Sequence, residues 1–313
     1  MIGPMARVFV TRLLPGDAVD RLGAAGHEAE VWEGPMPPTR KQLEAGVARS
    51  EGLLCLLTDR IDAQLLDAAP RLRAVANMAV GTDNIDLGEC SRRGIAVGNT
   101  PGVLTEATAD LTFALILAAA RRLLEAADAV RAGEWRTWGP ADWLGVDVHG
   151  ATLGIIGLGK IGRAVLRRSE GFGMRVIHHN RRSGLSLDTV LAESDFVSIH
   201  CPLTEETRGL IGERELGLMK PTAILVNTAR GEIVDTGALT RALVEGRLGG
   251  AALDVTDPEP LSADDPLLRV PNVTVLPHIG SASKATRESM ADLAVDNLLA
   301  ALAGRPMPHQ VAP

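Results

Sequence analysis

Short, wholly apolar runs alternate along this chain with longer stretches in which apolar residues recur every three or four positions. A run of four to six apolar residues bounded by turn-formers reads as a strand buried on both faces, and the longer pattern reads as a helix with one apolar face. In the first third the predicted strands are Val8–Thr11, Leu53–Leu57, Ala74–Asn77 and Ile95–Gly98, with helices near Asp17–Ala25, Lys41–Ser50 and Ala63–Ala69. After the turn Thr100-Pro-Gly-Val, the Ala- and Leu-rich stretch Thr105–Arg122 predicts one long helix. The pattern then breaks from Arg131 to Gly150, where Trp135, Trp138 and Trp143 stand among Gly and Pro. An irregular arm of this length inside a compact domain is usually functional or an interface; a surface loop pinned by aromatics is the other reading. A second alternating series follows, with strands at Thr152–Ile156, Arg175–His179, Phe196–Ile199, Ala223–Asn227, Gly250–Asp254 and Val273–Leu276 and a final helix from Lys284 to Ala303. Strand and helix alternating from end to end predict an α/β protein with parallel sheets.

One junction in this series carries chemistry. The apolar run Leu153–Ile156 feeds directly into Gly157-Leu158-Gly159-Lys160-Ile161-Gly162 and then into the helical Arg163-Ala-Val-Leu-Arg-Arg. Strand, glycine turn, helix is the context that gives a G-x-G-x-x-G spacing its meaning. The first glycine permits the tight turn, the second lets backbone approach a pyrophosphate, and the third lets helix pack on strand, while the helix N-terminus presents N–H groups to the phosphates. No strand of the first third leads into such a turn, so the cofactor site belongs to the second series.

Composition narrows the function classes. With 313 residues, 46% hydrophobic and 23% charged, the chain has the length of two domains and the make-up of a soluble globular protein. A net charge of −7 argues against a general nucleic-acid binder. Cys55, Cys90 and Cys201 lack metal-ligand spacing, and Cys55 and Cys201 lie in or beside apolar strands, which reads as buried structural thiols in a reducing cytoplasm, with no metal site. No signal-peptide core follows Met1, and the longest apolar run, Phe113–Ala120, is too short to span a bilayer, so no membrane partner is expected. The chain has no Tyr, which excludes any mechanism built on a tyrosine acid.

The segment after the second strand of the series discriminates between cofactors. In the NAD version of this fold an acid about 20 residues past the glycines binds the adenine ribose hydroxyls. Here Arg175-Val-Ile-His-His179 is followed by Asn180-Arg181-Arg182-Ser183, with no Asp or Glu. A carboxylate would repel a 2′-phosphate, whereas a guanidinium pairs with it, so NADP is favoured over NAD. The bland alternative is a pair of solvated loop arginines.

Three further strand ends carry polar groups that a core would not choose: Asn227-Thr-Ala-Arg230-Gly231, Leu253-Asp254-Val-Thr-Asp-Pro-Glu259-Pro260 and Pro277-His278-Ile-Gly-Ser281. Ligands of open parallel sheets bind beyond the carboxyl ends of the strands. His278, Glu259 and Arg230 form a coherent set there. An imidazole can give a proton to a carbonyl oxygen, a neighbouring carboxylate favours and orients its protonated form, and a guanidinium can hold a substrate carboxylate. Singly they read as a capped loop histidine, a turn glutamate and a surface cation; together, downstream of a dinucleotide turn, they read as catalytic.

At these residues the chain resembles the D-isomer-specific 2-hydroxyacid dehydrogenase family, and within it the glyoxylate/hydroxypyruvate reductase branch. The similarity spans essentially the whole chain and includes Asn77-Met-Ala-Val-Gly-Thr-Asp-Asn-Ile-Asp86, Val103–Asp110, the glycine turn, Leu218–Gly231, Leu253–Pro260 and Pro277–Ser283. The resemblance implies a Rossmann-type doubly wound domain at 102–282, and a smaller, discontinuous, flavodoxin-like substrate domain at 1–101 and 283–313, with a dimerisation arm near 122–150. It implies His278 as acid/base, Glu259 as its partner and Arg230 on the substrate carboxylate and carbonyl. The amides of Val80 and Gly81 would hold the carboxylate, Asp254 would contact the nicotinamide carboxamide, Thr105 and Gly157–Ile161 would line the cofactor, and Pro202 would lie near the adenosine. It also implies a homodimer in which Trp143, or else Trp138, reaches the partner's site and restricts substrate size. The expected activity is NAD(P)H-dependent reduction of a small 2-oxo acid to the D-2-hydroxy acid.

Two features depart from the family. Between Arg182 and Asp188 it usually has roughly ten more residues, forming a short helix and an edge strand beside the adenine; here Ser183-Gly-Leu-Ser-Leu stands alone. His178-His179 replaces a position where aromatics are common. Glu259 argues against a formate dehydrogenase, and Asn77-Met-Ala, without a Lys before Val80, argues against a phosphite dehydrogenase. A phosphoglycerate dehydrogenase, here without a regulatory domain, and an NAD(H)-sensing scaffold resembling the C-terminal-binding-protein corepressors stay open as alternatives.

Overall fold

The computed structural model describes residues 5–312, which divide into two compact units. The first takes the chain up to Leu104 and again from Ala282 onward; the second is Thr105–Ser281.

In the first unit the strands are β1 (Arg7–Val10), β2 (Glu28–Val31), β3 (Gly52–Cys55), β4 (Ala74–Asn77) and β5 (Ala96–Gly98). They form a parallel sheet in the order β2-β1-β3-β4-β5. That is the flavodoxin-like order, in which the direction of strand addition reverses between β1 and β3. The helices are α1 (Asp20–Ala24), α2 (Arg40–Val47), α3 (Ala63–Asp67) and α4 (Leu87–Arg92), joined by α11 (Lys284–Leu302) from the far end of the chain. Phe9, Leu53, Cys55, Leu65, Val75 and Cys90 pack in the apolar layer beneath α2–α4, and Met290, Ala294 and Leu298 are buried on α11. Cys90, which the apolar pattern does not single out, is as fully buried as Cys55, whereas Cys201 is only half-buried. β2 escapes the pattern because it is an edge strand: Glu28 and Glu30 alternate with half-buried residues and only β1 pairs with it.

The second unit begins with α5 (Thr105–Ala120). Arg122, in the left-handed region at φ 51°, separates it from α6 (Leu123–Arg131), a helix that the sequence pattern does not distinguish within the arm. There follow β6 (Thr152–Ile156), α7 (Lys160–Ser169), β7 (Arg175–Asn180), β8 (Ser183–Gly184), α8 (Leu187–Glu193), β9 (Phe196–Ile199), α9 (Glu213–Leu218), β10 (Ile224–Asn227), α10 (Thr236–Val244), β11 (Gly250–Leu253) and β12 (Val273–Val275). The sheet order is β12-β11-β10-β9-β6-β7-β8, parallel except for β8. Counted from β6, this is the 3-2-1-4-5-6 order of a Rossmann sheet with one strand added, and its switch point lies between β6 and β9. Central strands such as Ile224-Leu-Val-Asn227 are buried throughout because helices cover both faces. The loops after β6, β7, β9, β10, β11 and β12 therefore emerge at one edge, which sets the stage for the chemistry.

Candidate active site

The turn after β6 is built for close approach. Gly157 has φ 96°, its N–H donates to the His179 carbonyl (2.9 Å), and a Cβ there would lie 2.4 Å from the Cys201 amide nitrogen. A Cβ on Gly162 would lie 2.3 Å from the Gly157 carbonyl oxygen, so α7 and the turn are in backbone contact. Gly159 differs from both: it caps α7 without any side-chain hydrogen bond, and a Cβ on it would meet nothing within 4 Å. Two glycines are thus filled by neighbouring backbone and one faces open space at a helix N-terminus, an arrangement that fits a pyrophosphate. Leu158 and Ile161 pack on the core below, and Lys160 opens the helix. Arg168 of α7 pairs with Glu106 (2.8 Å) and Asp110 (2.7 Å), which brings the start of α5, and with it Thr105, beside the glycine helix.

Beyond β7 the shortened segment forms a hairpin in place of the helix and edge strand expected from the family. Asn180 pairs with Ser183 and His179 with Gly184, leaving Arg181 and Arg182 as the two turn residues. Gly184 carries the positive φ (92°), and a Cβ there would lie 2.3 Å from the His178 carbonyl. Arg181 Nη1 lies 3.0 Å from Glu206 Oε2, both side chains being well exposed. Glu206 stands in the turn after β9, where Thr207 Oγ1 donates to the Pro202 carbonyl (2.7 Å). Preceding Pro202, His200 Nε2 lies 2.8 Å from Ser198 Oγ, and burial pushes its imidazole down to about 4.

The loops after β10, β11 and β12, three adjacent strands, carry Arg230, Glu259 and His278. His278 Nδ1 and Glu259 Oε1 are 2.7 Å apart. Buried Asp254 holds the imidazole's backbone with three hydrogen bonds: its carbonyl accepts from the His278 N–H (2.9 Å), and its two carboxylate oxygens accept from the N–H groups of Ile279 and Gly280 (2.7 Å each). This bracket keeps His278 at φ 54°, a conformation that a non-glycine residue rarely adopts. Burial raises the Asp254 carboxyl above the usual range, against the opposing pull of the two N–H donors. Glu259 lies between two cis-proline bonds, Asp257–Pro258 and Glu259–Pro260. Thr236 Oγ1 donates to the Asp257 carbonyl (2.8 Å), tying down that loop.

Two residues of this edge were not legible as functional. Asn227 is buried; its Oδ1 accepts from the Ala229 N–H (3.0 Å) and its Nδ2 donates to the Arg230 carbonyl (2.8 Å), so it shapes the turn that presents Arg230. Gly231 is where the loops after β10 and β11 touch: a Cβ would lie 2.0 Å from the Thr256 carbonyl carbon and oxygen. A buried Asn at a strand's carboxyl end three residues before an Arg was the available signal.

Val80 and Gly81 lie in the first unit, in the loop after β4. Their carbonyls accept from Asn99 Nδ2 and Asn77 Nδ2 (2.8 Å each), and their own N–H groups donate to nothing among the described residues. Trp143 lies in the arm of the second unit at φ 56°, with the Arg122 guanidinium carbon 5.8 Å from its ring centroid. Among the described residues no helix is long and apolar enough to cross a membrane.

A Rossmann sheet with an open phosphate cradle after the interior strand β6, and an imidazole, a carboxylate and a guanidinium toward the β10–β12 end of the same carboxyl edge, defines an NAD(P)-dependent oxidoreductase. The profile of the NAD-binding domain of the D-isomer specific 2-hydroxyacid dehydrogenases matches residues 113–280. The chain is 52% identical over 320 residues to a glyoxylate reductase of Aeropyrum pernix, covering 97% of this chain and 95% of that one. It is 50% identical over 317 residues to a glyoxylate reductase of Korarchaeum cryptofilum, with the same coverage. Among solved structures it is similar to an NADPH-dependent glyoxylate/hydroxypyruvate reductase of Sinorhizobium meliloti in complex with NADP and malonate. That similarity has a TM-score of 0.87 and 34% identity, and covers 99% of this chain and 97% of the other. The chain belongs to the D-isomer specific 2-hydroxyacid dehydrogenase family.

Proposed function

We propose that this protein reduces a small 2-oxo acid, glyoxylate to glycolate or hydroxypyruvate to the D-2-hydroxy acid, with NADPH preferred over NADH. The observation that carries the reading is the His278–Glu259 pair at 2.7 Å on the same sheet edge as the glycine cradle. A reduced nicotinamide dinucleotide whose pyrophosphate is held by that cradle would supply the hydride. Glu259 occupies Nδ1 of His278, which leaves Nε2 to give its proton to the carbonyl oxygen as the carbonyl carbon is reduced. The imidazolium–carboxylate pair thereby becomes a neutral imidazole beside the carboxylate, and solvent restores the proton. Arg230, presented by the Asn227 turn, offers a planar fork to the substrate carboxylate and carbonyl. In the first unit, the amides of Val80 and Gly81 are donors suited to a carboxylate. Asp254 positions His278 and would contact the carboxamide, while Thr105, Gly157–Gly162, Asn180 and Pro202 would line the cofactor.

NADPH preference is supported by Arg181 and Arg182 at the hairpin turn, where no carboxylate follows β7. A homodimer formed through the arm is supported by the apolar groups exposed along it, Leu123, Leu124, Val130, Trp135, Trp138 and Leu144; Trp143 is the member assigned to substrate size. A cytoplasmic setting fits the buried free thiols Cys55 and Cys90. Chiral analysis of the product made from hydroxypyruvate and NADPH tests the function. D-glycerate is expected; L-glycerate, or no product from either acid, overturns it.

A further inference from the structure

In the order β9-β6-β7, the loops after β7 and β9 leave the sheet on either side of the glycine turn. β7 and β9 are two strand spacings apart, about 10 Å. The Arg181–Glu206 ion pair (3.0 Å) spans that gap across the carboxyl end of β6. Neither partner is loosely placed. Arg181 sits in a two-residue hairpin turn closed by Gly184. Glu206 stands between Thr204 and Thr207, whose turn is closed by Thr204 N–H to Thr207 Oγ1 (2.8 Å) and Arg208 N–H to the Thr204 carbonyl (3.0 Å). The two turns therefore present the carboxylate and the guanidinium to each other across the site.

We propose that Glu206 is a specificity-determining residue: it is the internal counter-ion of Arg181, and a 2′-phosphate must displace it. The inference rests on the reading that Arg181 meets that phosphate. A phosphate dianion makes charge-assisted, bidentate bonds to Arg and exchanges favourably for an exposed carboxylate. The 2′-hydroxyl of NADH cannot make that exchange, so the pair stays closed when NADH binds. Glu206 thus lowers NADPH affinity selectively, and the enzyme is less exclusive for NADPH than its two arginines alone would make it. Because the pair is exposed, its weight is small, and freeing Arg181 should tighten NADPH by about two- to fivefold.

The test is kcat/KM and Kd for NADPH and NADH in Glu206→Gln, Arg181→Ala, the double variant and Glu205→Gln. Glu205 is the control: it carries the same charge one position away and has no ion pair among the described residues. Glu206→Gln is expected to lower Kd and KM for NADPH about threefold, with NADH moving less than 1.5-fold. The gain should vanish in the Arg181→Ala background and be absent in Glu205→Gln. The inference is overturned by an equal gain for both cofactors, a gain that persists without Arg181, or a matching gain in Glu205→Gln. If Arg181→Ala leaves NADPH binding untouched, it is the underlying phosphate reading that fails.

Discussion

The two ends of the dinucleotide sheet's carboxyl edge are built differently. At the β10–β12 end the functional side chains stand on loops held from beneath by buried polar groups: Asp254 brackets the His278 backbone and Asn227 shapes the Arg230 turn, while Gly231 lets two loops touch. At the β7–β8 end Arg181 and Arg182 stand on a hairpin held by its own backbone and by one solvent-exposed ion pair. Proton transfer needs atoms placed to a fraction of an ångström, which buried hydrogen bonds supply. Telling a phosphate from a hydroxyl needs only charge of the right sign within reach, which exposed arginines supply.

Substitutions at the two ends should therefore differ in size and in kind. The largest effect is expected from His278→Ala: a fall in kcat of about 10²–10⁴, with NADPH binding, followed by nucleotide fluorescence, nearly unchanged. Near-normal turnover would remove the imidazole from the mechanism. Gly231→Ala comes next. Its Cβ must push apart the loops after β10 and β11, and a displacement of about 1 Å costs about 10²-fold in kcat/KM; wild-type kinetics would mean that the contact positions nothing. At the other end, Arg181→Ala combined with Arg182→Ala should raise KM for NADPH about tenfold or more while NADH changes little, since each charge-assisted bond contributes about 1.5–3 kcal/mol. Equal losses for both cofactors would refute the phosphate role.

The smallest effect concerns pH. Burial pushes His200 down to about 4 from an ordinary 6.5, so its neutral form is the one the fold favours. That stability is present above pH 6.5 and is lost as pH falls through the window from 6.5 to about 4. Allowing for partial exposure, it amounts to about 1–2 kcal/mol. His200→Gln should flatten the acid limb of thermal stability over that window; parallel wild-type and variant curves would contradict the assignment.

Most of the architecture could be read from apolar runs, because parallel strands buried on both faces, such as Leu53–Cys55 and Ile224–Val226, leave an unbroken apolar signature. β2 and β8 could not. Glu28–Val31 is half-exposed at an edge, and Ser183–Gly184 is a two-residue strand fixed by pairing and by Gly184's positive φ, neither of which has a hydrophobic signature. The proposed catalytic trio, Arg230, Glu259 and His278, stood out as titratable and charged residues at strand ends. Asn227, Gly231 and the bracketing bonds of Asp254 did not, because their work is done through backbone contacts between loops far apart in sequence. Glu206 was equally hidden: nothing in its surroundings along the chain marks it as the partner of Arg181.

The central claim is that one sheet edge binds a phosphorylated dinucleotide at one end and reduces a small 2-oxo acid at the other. The most direct test follows absorbance of the reduced cofactor at 340 nm, pairing NADPH or NADH with glyoxylate, hydroxypyruvate, pyruvate and a longer 2-oxo acid. The account predicts rapid NADPH loss with the two small acids, slower NADH loss, and little reaction with the longest acid. No oxidation with any pair would contradict it.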